Sequence, residues 1–235
     1  MKPDCVMIFA AGRGTRMRHL TRELPKPLLP VAGKPLIDHA LTLVDMAGVT
    51  RKVVNVNYFA EKLRTHLRNR QDVEISAETP DALETGGGLK RALPLLGDEP
   101  VFTLNPDAIW TGPNPLTQLA GNWHPGKMAA LLLLVPLTKA SGHAGQGDFS
   151  LAPDGRISRH IAEGQHPYVN TGAEIIDTGG IAAIAENCFS LNLVWDRMIA
   201  EGRLFGCVHQ GGWADVGTPE GIITAEKMLA EIRDV

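Results

Sequence analysis

The chain is poor in cysteine, has no long apolar run and carries no excess of positive charge, and each absence removes a class of protein. Three cysteines, Cys5, Cys188 and Cys207, stand far apart with no Cys-x-x-Cys pair. Neither a disulfide framework nor a zinc site is indicated, and buried free thiols are expected. The longest uninterrupted apolar run, Met128–Val135, is far short of the ~20 residues that a membrane-spanning helix needs and reads as a buried strand. The glycine-rich break after Phe9 comes too early for a signal-peptide core. A cytoplasmic protein with no membrane partner is the expectation. With 23 Lys and Arg against 26 Asp and Glu, net −3, the surface has no general pull on nucleic acid, so any phosphate recognition must be local. No His-Glu-x-x-His pair and no Gly-x-Ser-x-Gly elbow occurs, which leaves metalloprotease and hydrolase chemistry without support.

What is present is an ordinary globular composition, 44% hydrophobic and 21% charged, with 25 glycines and 16 prolines. That share exceeds the usual ~12% for the two together but stays below the ~25–30% of low-complexity chains, so the surplus belongs in ordered loops. Cys5–Phe9, Lys52–Asn57 and Val101–Leu104 read as sheet-core strands. Leu36–Ala47 carries one apolar stripe before Gly48, and Phe59–Leu67 and Gly88–Leu95 continue the alternation as helices. Alternating strands and helices predict a parallel sheet covered on both faces. Beyond Met128–Val135, the segments Asp148–Ala152, Arg156–Ile161 and Val169–Ile176 predict shorter, more antiparallel strands with a Pro-Asp-Gly turn at 153–155. Helices are expected again over Leu191–Glu201 and Pro219–Arg233, the latter capped by Thr218 with Pro219 in its first turn.

The first strand runs into Ala10-Ala11-Gly12-Arg13-Gly14-Thr15-Arg16-Met17, a place where open α/β sheets bind ligands. Glycines there let backbone N–H groups approach phosphate oxygens. The segment is not a dinucleotide fingerprint, because Met17 stands where Gly or Ala is needed, and it lacks the Gly-Lys-Ser/Thr ending of a Walker loop. Further on, Pro25 and Pro27 bracket Lys26, and the proline constraints predict an extended segment that presents one ammonium at a fixed point. Arg16 and Lys26 together carry charge enough to counter much of a triphosphate.

Over Ala10–Ile37 the chain resembles the sugar-1-phosphate nucleotidyltransferase family, whose signature runs Ala-Ala-Gly-x-Gly-Thr-Arg, Leu-Thr, Pro-Lys-Pro and Pro-Val-x-Gly-Lys-Pro. The resemblance implies a Rossmann-like three-layer α/β/α fold with a mostly parallel mixed central sheet, formed by residues 1–235 as a single catalytic domain without the C-terminal β-helix of longer relatives. It implies that Arg16 and Lys26 are catalytic phosphate clamps and that Ala11, Gly12, Arg13, Gly14 and Thr15 bind nucleotide. Leu83–Gly88 looks like the family's glycine-rich segment, so Gly86 and Gly87 are expected beside the base. Asn105-Pro106-Asp107 resembles the family's Asn-Gly-Asp, with Pro106 in place of Gly, and Trp213–Pro219 resembles Trp-x-Asp-x-Gly-Thr-Pro. Asp107 and Asp215 would then hold Mg²⁺, a hard cation suited to oxygen ligands, although 108 positions separate them. Trp213 itself reads as a core aromatic.

On the acceptor side, Gly147-Asp148-Phe149 resembles a segment of the shorter family members that act on N-acetylmuramate 1-phosphate, and Asn170-Thr171-Gly172 resembles the sugar-facing strand. Asn105, Asp148 and Asn170 are therefore the expected substrate-binding residues. Hexose-1-phosphate members carry Glu-Lys-Pro before that strand, where this chain has Glu163-Gly164-Gln165-His166-Pro167 and hence no such lysine. The expected partners are a nucleoside triphosphate, best UTP, and a sugar 1-phosphate, best N-acetylmuramate 1-phosphate, in cell-wall recycling. A mannose-1-phosphate guanylyltransferase is the alternative within the family. A nucleotide-binding regulatory protein without turnover, suggested by Pro106, is the alternative outside it.

Overall fold

The structure, a computed structural model, describes residues 2–233. Its centre is a seven-stranded sheet. The strands are β1 (Cys5–Ile8), β2 (Arg51–Val56), β3 (Val73–Ala77), β4 (Val101–Leu104), β5 (Ala130–Pro136), β6 (Tyr168–Ile176) and β7 (Leu204–Val208). They are arranged in the order β7-β5-β6-β4-β1-β2-β3. Only β6 runs against its neighbours; the pairs β1–β2, β1–β4, β2–β3 and β5–β7 are parallel. The sheet is thus mostly parallel and mixed, as the sequence implies.

Apolar strands explain the layering, since side chains alternate between two faces that must both be covered. On one face Val6, Ile8, Phe102 and Leu104 pack with Ile37 and Leu41 of α1 (Leu36–Met46), Leu63 and Leu67 of α2 (Ala60–Leu67) and Leu116 and Leu119 of a further helix, Pro115–Asn122. On the other, Met7, Val101 and Leu132 meet Leu89 and Leu96 of α3 (Glu84–Leu96) and Leu191 and Val194 of a helix at Leu191–Ala200. We number these last two helices, in chain order with the final Pro219–Arg233, as α4, α5 and α6. A third apolar cluster joins Met17, Leu29 and Val31 to Ile109, Val216 and Ala225, and so ties the loop after β1 to α6.

The sequence reading misses β3, β7 and α4. The two strands are the edges of the sheet, and Val73–Ala77 keeps one buried side chain among half-buried and exposed ones, so it lacks the apolar run that marks the inner strands. Two further expectations are corrected. Lys26 does not lie in an extended segment: Lys26–Leu28 closes one 3₁₀ turn, with the Leu28 N–H donating to the Pro25 carbonyl at 2.9 Å. Of the three thiols only Cys5 is buried, while Cys188 is exposed and Cys207 half-buried.

Candidate active site

The loop after β1 and the turn after β4 open at the carboxyl ends of adjacent parallel strands, where strand directions leave a cleft. A cavity of about 230 Å³ there is lined by Phe9, Gly12, Gly14, Thr15, Arg16 and Lys26 with Pro106, Asp107 and Gly217. Gly12 has no protein atom within 4 Å of the point where a Cβ would stand, so its missing side chain serves open space rather than packing. Gly14 is different: its φ of 62° is left-handed, and a Cβ would lie 2.8 Å from Lys26 Cβ. The loop can wrap around the lysine only through a glycine. Lys26 is 8% exposed, yet its ammonium reaches Asp107 Oδ2 at 2.6 Å. Arg13, by contrast, points away: it is exposed and does not line the cavity.

Asp107 and Asp215 come together through a small three-stranded sheet, Ala108–Trp110, Trp213–Asp215 and Ala140–Ser141. Asp215 pairs with Ala108, and the Val216 N–H donates to the Asp107 carbonyl at 2.8 Å. Burial pushes the Asp215 carboxyl up, the Asp107 charge pushes it further, and Lys26, Arg16 and His143 oppose the shift. Gly217 lies against both charges: a Cβ there would stand 3.0 Å from Asp215 Oδ2 and 3.1 Å from Arg16 Nη1. His143 keeps a buried Nε2 without a hydrogen-bond partner. Trp213 is a core aromatic, 4% exposed, donating to the Thr171 carbonyl. Among the described residues no group of three or more His, Cys, Asp and Glu is placed to hold a metal. Asp107 and Asp215, near enough for the charge of one to act on the other, are the candidate pair, and hard carboxylates that repel each other fit a divalent cation.

Beyond Asp107 a second cavity, about 180 Å³, is lined by Phe9, Ala11, Gly12, Asn55, Glu78, Glu84, Thr85 and Asn105. Beneath it the Ala10 N–H donates to Asn55 Oδ1, Asn55 Nδ2 donates to Glu78 Oε1, and the Leu83 N–H donates to Glu78 Oε2. This buried chain fixes the β1 loop to the start of α3. The glycines expected here are corrected by the structure. Gly86 and Gly87 lie in the first turn of α3, and both N–H groups donate to the Phe189 carbonyl at 2.9 and 3.0 Å. A Cβ on Gly86 would strike the Phe189 ring, and one on Gly87 the Asn187 carbonyl oxygen. Their smallness lets α3 pack on residues 187–189, and the residues that face the cavity are Glu84 and Thr85.

A third recess, about 40 Å³, continues past Asn105 and Thr85 and is lined by Thr103, Asn170, Gly172, Glu174, Leu191 and Trp195. Asn170 and Asn105 thus face the cleft. Asp148 supports from behind: its Oδ2 accepts the Asn170 N–H at 2.8 Å, and it lines none of the three cavities. Sequence reasoning passes over Phe9, Asn55, Glu78 and Glu174. Asn55 carried a signal, being a polar residue inside the buried run Lys52–Val56, whereas Glu174 shares its strand with Asn170 and Thr171 and stands out less.

Comparison with known proteins places this geometry. Residues 6–139 match the MobA-like NTP transferase domain family. The chain is 41% identical, over 97% of its length and 98% of the relative's, to the N-acetylmuramate alpha-1-phosphate uridylyltransferase of Caulobacter vibrioides. It is 34% identical to the protein of that name from Neisseria meningitidis, over 90% and 92%. Against a mannose-1-phosphate guanyltransferase beta-B of Xenopus laevis identity is 30%, over 96% of this chain but 64% of the relative. In fold it resembles HddC from Yersinia pseudotuberculosis complexed with GMP-PN, with TM-score 0.77, 19% identity and coverage of 96% and 99%. A putative glucose-1-phosphate thymidylyltransferase from Bacillus anthracis gives TM-score 0.76 at 19% identity, covering 98% and 95%. The resemblance read from Ala10–Ile37 is borne out: the chain belongs to the MobA-like NTP transferase family and is a nucleotidyltransferase.

Proposed function

We propose that the protein transfers a uridylyl group from UTP to N-acetylmuramate 1-phosphate, releasing pyrophosphate and forming UDP-N-acetylmuramate for cell-wall recycling in the cytoplasm. The observation that carries this reading is the 41% identity to a uridylyltransferase of that specificity over nearly the whole of both chains. The missing lysine at 163–167 supports it against the hexose-1-phosphate members. No helix among the described residues is long and apolar enough to cross a membrane.

In this reaction an oxygen of the acceptor phosphate attacks the α-phosphorus in line while the bond to the pyrophosphate oxygen breaks. The nucleophile is already ionised at neutral pH, so no general base is needed, and positioning with charge neutralisation supplies the rate. The open face of Gly12 lets the loop backbone approach the phosphates. Arg16 and Lys26 line the same cavity and would take the charge that grows on the leaving pyrophosphate. Asp107 and Asp215 would hold Mg²⁺, which when bound screens the α-phosphate and acceptor phosphate from each other. Lys26 is the counter-ion of Asp107 and lines the same cavity as Arg16, where its ammonium would also be within reach of a phosphate.

The test is a matrix of the four common nucleoside triphosphates against N-acetylmuramate, mannose, glucose and N-acetylglucosamine 1-phosphates with Mg²⁺, read by pyrophosphate release. Turnover greatest with UTP and N-acetylmuramate 1-phosphate is expected. Preference for GTP with mannose 1-phosphate overturns the specificity, and silence throughout overturns the reaction.

A further inference from the structure

A carboxyl group in the middle of a sheet is costly, because the charged form loses its water and few donors replace it. Glu174 is such a group. It is 2% exposed and sits on β6 opposite Thr103 of β4 and Leu132 of β5, on the face where α3 and α5 cover the strands. Along that face its strand neighbour is Ile176, in the apolar cluster with Leu132, Leu89 and Leu191. An apolar side chain would satisfy the fold there. Oε1 accepts from the Thr103 hydroxyl at 3.0 Å, and Oε2 accepts from Trp195 Nε1 at 2.9 Å. Each carboxylate oxygen can accept a second hydrogen bond, and neither has another protein donor. Burial pushes the carboxyl up to about 7.

The surroundings say where the remaining acceptor capacity is directed. Glu174 lines the 40 Å³ recess with Thr85, Thr103, Asn105, Asn170 and Trp195, and Asn105 and Thr85 also line the cavity that holds Gly12 and Asp107. The recess is therefore a side pocket of the cleft, walled by Phe9, Leu191 and Trp195 with a few polar side chains set among them, and large enough for one exocyclic substituent of a ring. The strand is shaped for it. Pairing of β6 with β5 breaks its register between Asn170 and Glu174, and Gly172, at φ 79°, brings the backbone so close to Asn105 that a Cβ would lie 2.6 Å from its Nδ2. The bulge turns Asn170 and Glu174 toward the same recess. The indole that fixes Glu174 is itself held from outside, where the Arg159 guanidinium lies over the Phe149 ring at 4.6 Å and near Trp195 at 6.0 Å.

We propose that Glu174 selects the acceptor: its carboxylate accepts a hydrogen bond from one hydroxyl or acylamino N–H of the pyranose 1-phosphate, seated in the Thr103–Asn170–Trp195 recess. The proposal rests on the sugar 1-phosphate reading above and names the residue that reads the ring. A site built to accept such a bond discriminates strongly against acceptors lacking the donor, because its buried oxygens are then left unpaired.

Glu174→Gln tests it while keeping the shape and a partner for both Thr103 and Trp195. Initial rates are measured with UTP, the acceptor that wild type prefers, and a set of that acceptor's analogues each lacking one hydroxyl or the acylamino group. Expected is a rise of about 10-fold in the acceptor KM, with the UTP KM within about twofold of wild type. One analogue should lose about as much with wild type and be indifferent to the substitution, closing a thermodynamic cycle on one contact. An unchanged acceptor KM, or an equal ratio between the two enzymes for every analogue, overturns the proposal while wild-type turnover stands. Silence of wild type with every sugar 1-phosphate overturns the underlying reading and this one with it. Glu174→Leu guards against a misfolded variant: a cooperative unfolding transition with about a 100-fold loss in acceptor kcat/KM supports selection, and retained kcat/KM overturns it.

Discussion

At one end of the cleft the wall is loop and short 3₁₀ turns: Gly12 and Gly14, Thr15 and Arg16 at the start of the kinked 3₁₀ segment Thr15–Thr21, the single turn at Lys26, and the turn carrying Pro106 and Asp107. At the other end the wall is regular structure, with Thr103, Asn170 and Glu174 on strands and Leu191 and Trp195 on a helix. The loop end is irregular in backbone and gathers the charged side chains Arg16, Lys26 and Asp107. On the proposed reading it would meet phosphate through backbone donors and through the cations and carboxylates gathered there. The strand end is apolar scaffold with a few polar side chains set into it, and those can change without disturbing the loop. On the proposed reading shared chemistry is separated from selection, and the two ends should respond differently to substitution.

The largest effects belong at the loop end. Asp107→Asn and Asp215→Asn should each lower kcat by about 10³-fold, since each removes one of the two carboxylates that would hold Mg²⁺. Pyrophosphate release at saturating Mg²⁺ measures it, and near-normal rates in either variant would remove that residue from the metal pair. Next is Lys26→Gln, for which a fall of about 10²-fold in kcat/KM for the triphosphate is expected. A loss confined to the acceptor KM would break the division between the two ends.

A smaller effect separates packing from binding. In an open helix Gly→Ala gains ~1 kcal/mol, but a Cβ on Gly87 meets the Asn187 carbonyl. Gly87→Ala should therefore cost about 2 kcal/mol of stability by overpacking, seen as a drop of roughly 4–8 °C in Tm. The triphosphate KM should stay within about twofold. A rise in Tm with a raised KM would return the glycine to the base site.

The same division governs what the sequence discloses. Around Ala10–Ile37 the constraints are local: a left-handed Gly14 and the Pro25-Lys26-Pro27 turn leave their mark in residue type, so the motif can be read along the chain. The strand end is assembled across distance. Glu174 meets Thr103 from 71 positions away, and nothing in Val169–Ile176 by itself distinguishes an acid aimed into a recess from one at a strand edge. Gly86 and Gly87 mislead for a related reason, because a glycine demanded by a neighbouring helix or segment looks the same in sequence as one demanded by a ligand. The edge strand β3 escapes notice because an edge needs less apolar surface, whereas β1 and β4, buried on both faces, announce themselves; β7, Leu204–Val208, is an apolar run that the reading passes over.

The smallest expected effect is one of pH, and it probes the strand end without any substrate. The Glu174 carboxyl moves from an ordinary value of 4.5 up to about 7 in the folded protein through burial, against the pull of the Thr103 and Trp195 hydrogen bonds. The folded state then binds more protons than the unfolded state between those values, so stability falls as pH rises through the window. Below about pH 4.5 the side chain is neutral in both states and Glu174→Gln should match wild type. Above about pH 7 wild type carries a buried charge that the amide lacks, and the variant should be the more stable by about 1–3 kcal/mol. The difference in Tm between the two proteins, followed from pH 4 to pH 8, should open across the window and then level off. A difference independent of pH would mean that the carboxyl is hydrated in the free enzyme and titrates as it does in the unfolded chain. The recess would then hold water over Glu174 when empty, and an acceptor substituent would have to displace it, which shifts the origin of selectivity from an unpaired acceptor to an exchanged water.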